Sequence, residues 1–328
     1  MKINFAVIGT NKITDRFLAA AAEVEDFCLK GVYSRTMERA EAYGKKHGAE
    51  IYFDSLKELA ACSQIYAVYI ASPNCCHASQ AIEMLKSGKH VLCEKPIASN
   101  LKEFTAMRNT AVEQKRVLME AMRNVYSPGF AAIRENLPKL GTVRRASFQY
   151  CQYSSRYDNF KKGIIENAFR PELSNGALMD IGVYCVHPAV MLFGMPNQIS
   201  SSAVRLSNGI DGAGTIVLEY DGMQAELLYS KITDSHVPSQ IQGENASLVF
   251  DPLHNPCDIT IFYRNGQKEK LDVPEKENNM NYELEEFLHL IREERYDHEY
   301  LENSAMEMKV MDEVRRQLGI VFPADTQK

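Results

Sequence analysis

The sequence predicts an α/β chain in two parts. The first is a parallel, doubly wound sheet, and the second an α+β domain with a large, mostly antiparallel open sheet. Three observations carry this. Up to Arg123, the strand-like runs INFAVIG, FCLKGVYS, IYAVYIAS, HVLCEKP and RVLMEAM alternate with helical patterns, the signature of βαβ units. Beyond Arg123, strand candidates follow one another: RRASFQYCQYSS, ISSSAVRL, GTIVLEYDG, QAELLYSKI, ASLVFD and DITIFYRNG. Asn265-Gly266 supplies a hairpin signal among them. The tail, NYELEEFLHLIREERY and SAMEMKVMDEVRRQLG, reads as two amphipathic helices. The expected domains are 1–123 and 124–328.

In the first part, Ile13–Glu23, MERAEAYGKKHG, CHASQAIEMLKSGK and LKEFTAMRNTAVEQKR have helical spacing. In the second, YSPGFAAIRENLPKLG reads as a helix stopped by Pro and Gly, and GALMDIGVYCVHPAVMLFG as mainly helical.

The bulk numbers set the class. The 328 residues suffice for two domains. A net charge of −6 without a basic block argues against nucleic acid or an anionic membrane as partner. No apolar run approaches the ~18 residues of a membrane span, and the start, MKINFAVIG, lacks the features of a signal peptide. The eight cysteines are scattered, with Cys75-Cys76 adjacent, which suits neither zinc nor a disulfide. A reducing cytoplasm is the expected setting and no metal is expected. A large sheet with one free face makes a homodimer or higher homo-oligomer the expected assembly.

Gly9 follows the first strand and precedes a helix, where dinucleotide-binding sheets place their phosphate loop. In Gly9-Thr10-Asn11-Lys12-Ile13-Thr14 only the first position of G-x-G-x-x-G/A is kept, and an ordinary turn would also want that one glycine. The end of the second strand reads Tyr33-Ser34-Arg35-Thr36, with Arg39 a helical turn on. No carboxylate stands there to accept from a ribose 2′-hydroxyl. Ser34 and Arg35 instead offer a donor and a bidentate fork to a 2′-phosphate, which favours NADP(H) over NAD(H). A surface arginine at a helix start would look the same.

The stretch GKHVLCEKPIASN is the most informative. Lys95 stands at the carboxyl end of a buried strand, where α/β sheets gather ligands, and Pro96 stops the strand. Further on, Asp180, Tyr184 and His187 fall at i, i+4 and i+7 of an apolar helix, on one face. Pro188 cannot donate to the Tyr184 carbonyl and should kink that helix. The alternative is that Asp180 caps the helix while the other two are satisfied interior groups.

Together these residues make the chain resemble the glucose–fructose oxidoreductase / inositol dehydrogenase / MocA (Gfo/Idh/MocA) family over nearly its whole length. The matching marks are the VIGT strand-turn, Ala71-Ser72-Pro73-Asn74 with His77, Glu94-Lys95-Pro96, and Gly176…Asp180-x-Gly182-x-Tyr184. The pair EKP and D-x-G-x-[HY] is the specific one. Tyr at 184 is similar to the subgroup of glucose–fructose oxidoreductase and dimeric dihydrodiol dehydrogenase.

The resemblance implies an N-terminal Rossmann NAD(P)-binding domain, a C-terminal substrate and oligomerisation domain, and an active site between them. It also implies roles for individual residues. Lys95 would hydrogen-bond the reacting substrate oxygen, Tyr184 would be the acid/base, and Asp180 would orient the substrate. Ser72, Pro73, Asn74, His77, Glu94 and Lys95 would line the nicotinamide side; Gly9, Thr10, Asn11, Lys12 and Ile13 would meet the phosphates. The chain departs from the family in its phosphate loop, in His187 where many members have Asp, and in Arg123-Asn124-Val125 after Glu120-Ala121-Met122. Arg123 is a further candidate for cofactor contact.

The expected reaction is hydride transfer between NADP(H) and a secondary alcohol or ketone carbon of a sugar, polyol or diol. A phenol is a poor base at neutral pH, and an ammonium within ~4–6 Å favours its ionised form. Lys95 is the candidate cation for Tyr184. Arg156, Tyr157, Lys161 and Lys162, with His187, are candidates for substrate contact, Arg156 to Lys162 as a lid; for those four a solvated basic loop is the favoured alternative. The rival functions are a non-catalytic NADP(H)-binding regulator and an NAD-dependent, redox-assisted glycosidase.

Overall fold

The computed structural model describes residues 2–274 and 276–326. Two compact units emerge: Met1–Ala121 with Asn278–Ala305, and Met122–Glu277 with Met306–Lys328. The expected 124–328 domain therefore gives up Asn278–Ala305 to the first unit.

The N-terminal stretch alternates β1 (Ile3–Ile8), α1 (Lys12–Ala21), β2 (Phe27–Tyr33), α2 (Met37–His47), β3 (Ile51–Phe53), α3 (Leu56–Ala61), β4 (Ala67–Ile70), α4 (Asn74–Lys86), β5 (His90–Glu94), α5 (Leu101–Glu113) and β6 (Leu118–Ala121). Its six strands are parallel, in the order β3-β2-β1-β4-β5-β6, the doubly wound topology that puts a ligand crevice where the order reverses. That reversal lies between β1 and β4. β4 and β5 are buried at every residue, as strands covered on both faces must be. The sequence reading lacks β3 and α3, because three residues of strand are too few to show a period. Asn11, Thr36, Ser55 and Asn100 cap α1, α2, α3 and α5 through their side chains.

The second unit starts with α6 (Pro128–Asn136), β7 (Val143–Cys151) and α7 (Ser155–Lys161). A π-helical turn over Leu178–Gly182 then runs into α8 (Val183–Phe193). Strands β8 (Gln198–Arg205), β9 (Asp211–Tyr220), β10 (Met223–Ser230), β11 (Ser239–Gly243), β12 (Ala246–Asp251), β13 (Asp258–Tyr263) and β14 (Lys268–Leu271) complete it. The sheet order is β14-β13-β12-β11-β7-β10-β9-β8, antiparallel throughout except for β7 beside β10. Asn265 and Gly266 form the turn between β13 and β14, with Gly266 at φ +88°. Alternate residues (Leu248, Phe250, Ile259, Ile261) point into the core, and α8 packs on β7 and β10. Pro171–Phe193 is long and apolar enough to cross a membrane, contrary to the sequence reading, but 78% of its most apolar window is buried inside the fold. It is a core helix.

The tail forms α9 (Met280–Arg292), α10 (Glu299–Leu318) and α11 (Pro323–Thr326). α9 returns to the first unit and packs on α1 and β5. Phe287, fully buried, meets the edge of Phe5 at 6.0 Å between ring centres. Burying such a ring is worth about 1.5–3 kcal/mol, enough to explain why this helix belongs to the parallel sheet.

Two histidines of the first unit are buried neutral. His90 accepts from the Val117 amide at Nδ1 (2.9 Å), and His298 lies 3.0 Å from the Leu118 carbonyl through Nε2. Burial pushes each from the ordinary 6.5 down to about 4, and for His90 the Arg116 charge adds to this. A folded pKa below the unfolded one means the unfolded chain takes up protons first as pH falls. Their stabilising contribution is complete above 6.5 and disappears on the way to about 4. The thermal midpoint, followed by calorimetry, should fall across that window. His90→Asn, which keeps an acceptor for Val117, should fall less steeply; an unchanged slope would refute the assignment.

Candidate functional site

In the first unit, the candidate residues gather at the carboxyl ends of β1, β2, β4 and β5. Gly9 has φ +118°, and a Cβ there would lie 2.6 Å from the Ala71 carbonyl oxygen. Only glycine brings the β1 and β4 turns this close. Asn11, the residue that replaces the second glycine of the loop, accepts from the Ile13 and Thr14 amides and donates to the Ala71 carbonyl at 2.7 Å. It works as a helix cap and a clamp between the two turns. Beside it, Arg39 donates to the Thr10 hydroxyl at 3.3 Å, so the arginine reaches the phosphate loop from α2. Ser34 is buried at the end of β2, its amide bonded to the Phe53 carbonyl, and Arg35 is exposed next to it. Lys12 is exposed at the start of α1. This cradle, with a turn open only to glycine and two arginines at its rim, fits a dinucleotide phosphate.

The β4 and β5 ends are tied together by His77. Its ring nitrogens lie 2.9 Å from the Ser72 carbonyl and 3.0 Å from the Pro96 carbonyl. Burial holds its pKa below the ordinary value, and the Lys95 charge pushes the same way, against the two carbonyls, which favour the protonated ring. Ser72 donates to Gln80 at 2.7 Å; Pro73 is exposed and Asn74 buried at the start of α4. Glu94 accepts the Tyr69 hydroxyl at 2.6 Å, and the Tyr69 ring stacks on Phe17 at 3.7 Å. Glu94 thus anchors the β5 end in the core. Lys95 follows, joined to Pro96 by a cis peptide. It is partly exposed, while residues 96–100 behind it are buried. Glu120 fixes that buried stretch by accepting from the Ile97 amide (3.0 Å) and the Ser304 hydroxyl (2.6 Å). The Ser99 amide donates to Glu103, whose own amide donates to Asn100, a reciprocal capping arrangement.

In the second unit, the helix bearing Asp180 and Tyr184 is set by a carboxylate the sequence reading did not single out. Asp211, 1% exposed, accepts the Leu178 amide at 2.6 Å. Burial raises its pKa, while that amide, the Ala177 amide and the charge of Lys231 work against the rise. Gly176 sits at φ +154°, where a Cβ would fall 2.3 Å from Asp211 Oδ1. A Cβ on Gly182 would fall 3.1 Å from the Tyr229 ring. Both glycines of the motif therefore admit close approach, one to the capping carboxylate and one to β10.

The three residues expected on one face meet three different partners; Asp180 lies in the π-helical turn at Leu178–Gly182, and Tyr184 and His187 lie in α8 beyond it. Asp180 is bonded to Lys231 at 2.5 Å. Tyr184, 7% exposed, has the Tyr150 ring edge-on at 5.4 Å and the Arg123 guanidinium 6.0 Å from its ring centre. His187 is fully buried, with Nδ1 2.6 Å from Glu307 Oε2. The residue expected at the substrate thus has no exposed surface in this structure. Pro188 is accommodated within α8. The Tyr184 carbonyl that it leaves without a helical donor accepts from Asn124 Nδ2 at 3.4 Å, and the same amide group donates to the Leu253 carbonyl at 3.3 Å.

Arg123 belongs to the second unit and lies over Tyr184, 6% exposed. Tyr157 packs on Tyr153, Phe160 and Phe169. Arg156 is exposed and pairs with Glu166 at 3.6 Å, and Lys161 pairs with Asp158 and donates to Tyr153. These groups brace the α7 segment on itself. Sequence reasoning missed Asp211, Lys231, Asn124, Tyr150 and His254, the last stacked on Tyr150 at 5.0 Å. Only Asn124 had a signal: a proline inside a helix requires a donor from elsewhere for the carbonyl four residues before it.

Comparison with known proteins agrees with this architecture. Residues 3–122 match the family model described as GFO_IDH_MocA, oxidoreductase family, NAD-binding Rossmann fold, and residues 135–249 match the GFO/IDH/MocA C-terminal domain. The chain belongs to the Gfo/Idh/MocA oxidoreductase family. It is 51% identical over 325 residues to scyllo-inositol 2-dehydrogenase (NADP(+)) IolU of Bacillus subtilis strain 168, covering 98% of this chain and 99% of that one. It is 28% identical over 350 residues to trans-1,2-dihydrobenzene-1,2-diol dehydrogenase of Danio rerio, covering 100% of both. Among solved structures, KijD10, a 3-ketoreductase from Actinomadura kijaniata in complex with NADP and TDP-benzene, shares the fold. Its TM-score is 0.87 at 21% identity, over 97% of this chain and 98% of that one.

The close approach at Gly176 generates a prediction. Gly176→Ala should lose at least ~2 kcal/mol in urea unfolding, from a conformation alanine resists and a displaced cap. A midpoint equal to wild type would mean that the Asp211 cap does not depend on it.

Proposed function

We propose that the protein is an NADP(H)-dependent dehydrogenase/reductase acting on a small molecule. It moves a hydride between the nicotinamide and a secondary alcohol or ketone carbon of a polyol, sugar or diol. The observation that carries this reading is the 51% identity, over 98% of the chain, with an NADP(+)-dependent scyllo-inositol dehydrogenase. Ser34 and Arg35 at the end of β2, where no carboxylate stands, support NADP(H) over NAD(H).

When bound, the nicotinamide gives or takes the hydride, and the protein supplies position and proton handling. Gly9 to Ile13 and Arg39 hold the phosphates, and Ser34 and Arg35 the 2′-phosphate. Ser72, Pro73, Asn74 and His77 shape the β4 turn beside the nicotinamide. Lys95 donates to the substrate oxygen and steadies the negative charge that develops on it. Tyr184 passes the proton to or from that oxygen, with Arg123 over its ring, and Asp180 orients the substrate. A homodimer in the cytoplasm is the proposed working form. Val204 and Phe262, exposed on β8 and β13, support a sheet face that a second copy covers. Light scattering on the purified protein tests this, and a monomer would refute it.

A screen of inositols, sugars and trans-diols with NADP⁺ and NAD⁺, followed through the absorbance of the reduced nicotinamide, tests the reaction. Tyr184→Phe and Lys95→Met should each lower kcat by at least ~10²-fold and leave NADPH binding nearly intact; full turnover by either would sink this mechanism. Arg35→Ala should weaken NADPH binding about tenfold and NADH binding little, as loss of one charge-assisted contact predicts. Equal weakening of both cofactors would remove Arg35 from the 2′-phosphate.

A further inference from the structure

Lys231 follows the last residue of β10 and is 2% exposed, among the largest fully buried side chains of the protein. Its ammonium donates to Asp180 Oδ2 at 2.5 Å and to the Ala168 carbonyl at 3.1 Å, and lies 4.7 Å from the centre of the Phe169 ring. One partner is the carboxylate of the D-x-G-x-Y motif; the other two belong to the chain between α7 and the π-helical turn. The Asp180 side chain is itself 32% exposed, against 2% for that of Lys231.

A lysine is a costly way to fill a core position. An apolar side chain of similar volume would avoid its desolvation, and replacing buried ion pairs by such residues is often neutral or stabilising. The position is therefore poorly explained by packing alone. What the ammonium does and a methionine could not is keep one oxygen of Asp180 charged and in one place. It also holds the Ala168–Phe169 segment over the same carboxylate. Phe169 and Ala168 form a small apolar cluster with Ile210, against which Tyr157, Phe160 and Leu206 pack. Lys231 thereby links Asp180 to the segment in which Arg156 and Tyr157 sit.

We propose that Lys231 is a positioning residue for the reaction: it fixes the Asp180 carboxylate for substrate orientation and latches the 155–170 segment to it. The inference rests on the function proposed above, in which Asp180 orients the substrate. The other ionisable groups on the elements packed against this turn are Asp211, Glu219 and Tyr220 of β9, Glu226 and Tyr229 of β10, Arg144, Arg145, Tyr150 and Cys151 of β7, and Tyr184, Cys185 and His187 of α8. Of these, Arg144 and Arg145 pair with Glu244 and Glu226, and Lys231 is the cation bonded to Asp180.

The test has one arm without substrate and one with it. In the first, the Asp180 carboxyl carbon is followed by carbon-13 NMR in the full-length protein, assigned by its disappearance in Asp180→Asn. Lys231→Met should move its titration to higher pH, since the carboxylate loses its cation. In the second, scyllo-inositol oxidation by NADP⁺ is measured. Lys231→Met should raise KM at least fivefold, shift the acidic limb of kcat/KM to higher pH and leave NADPH affinity unchanged. In an Asp180→Asn background, the same substitution should add less than a twofold loss, because the two residues act as one unit. A purely structural lysine would give an additive loss and a lower melting temperature with no shift of the acidic limb, and that result would overturn the proposal. So would an unmoved Asp180 titration. If Lys231→Met does not fold, Lys231→Gln, which keeps a donor for Ala168 and removes the charge, is read in the same way. Loss of turnover in Tyr184→Phe with normal kinetics in Lys231→Met would reject the role of Lys231 alone. Full turnover in Tyr184→Phe would reject the underlying mechanism.

Discussion

The helix that bears Asp180 and Tyr184 depends on one buried carboxylate. Asp211 accepts the amide that opens the turn at Leu178, and it does so while 1% exposed. An uncapped helix start in that position would bury orphan donors. Because Asp211 reaches the chain so closely, Gly176 has no space for a side chain; because the turn then lies against Tyr229, Gly182 has little. The spacing G-x-x-x-D-x-G-x-Y thus reads as the imprint of two close approaches. Asp180 and Tyr184 stand at the positions between and after those approaches.

The first unit solves a related problem differently. Its candidate groups sit on turns after strands, and turns do not stiffen themselves. Three side chains from the interior do that work. Glu94 takes the Tyr69 hydroxyl, Glu120 takes an amide and a hydroxyl from either side, and His77 spans the turns after β4 and β5. Of the motif Glu94-Lys95-Pro96, the glutamate faces inward and the lysine is left partly exposed. A strand alternates its side chains between faces, and the cis bond to Pro96 turns the chain immediately afterwards.

Much of this was legible in the sequence. Long strands with helices between them announce a parallel sheet, and the hairpin at Asn265-Gly266 follows from its turn residues. The glycine at position 9 and the lysine at 95 were found from their place at strand ends. What escaped was whatever depends on contacts distant along the chain. Lys231 closes a strand and looks like a surface residue until its ammonium is seen against Asp180. Asp211 is one acid among many until the Leu178 amide is placed upon it. The same limit hid the partner of His187: it shares α8 with Tyr184, but the Glu307 that its ring meets lies far along the chain.

The return of α9 to the parallel sheet has a consequence for biosynthesis. Phe287 of α9 is the neighbour of Phe5 in β1, and almost the entire chain separates the two. A nascent chain grows at ~5–20 residues per second and domains generally fold as units, the N-terminal one first. Here the half that leaves the ribosome first must wait with one face uncovered until α9 follows. The second unit's sheet, encoded between the two pieces, can assemble during that interval. For the same reason a gene fragment ending after β6 does not encode a finished domain, and a fragment meant to stand alone would have to carry residues 278–305 grafted back onto it.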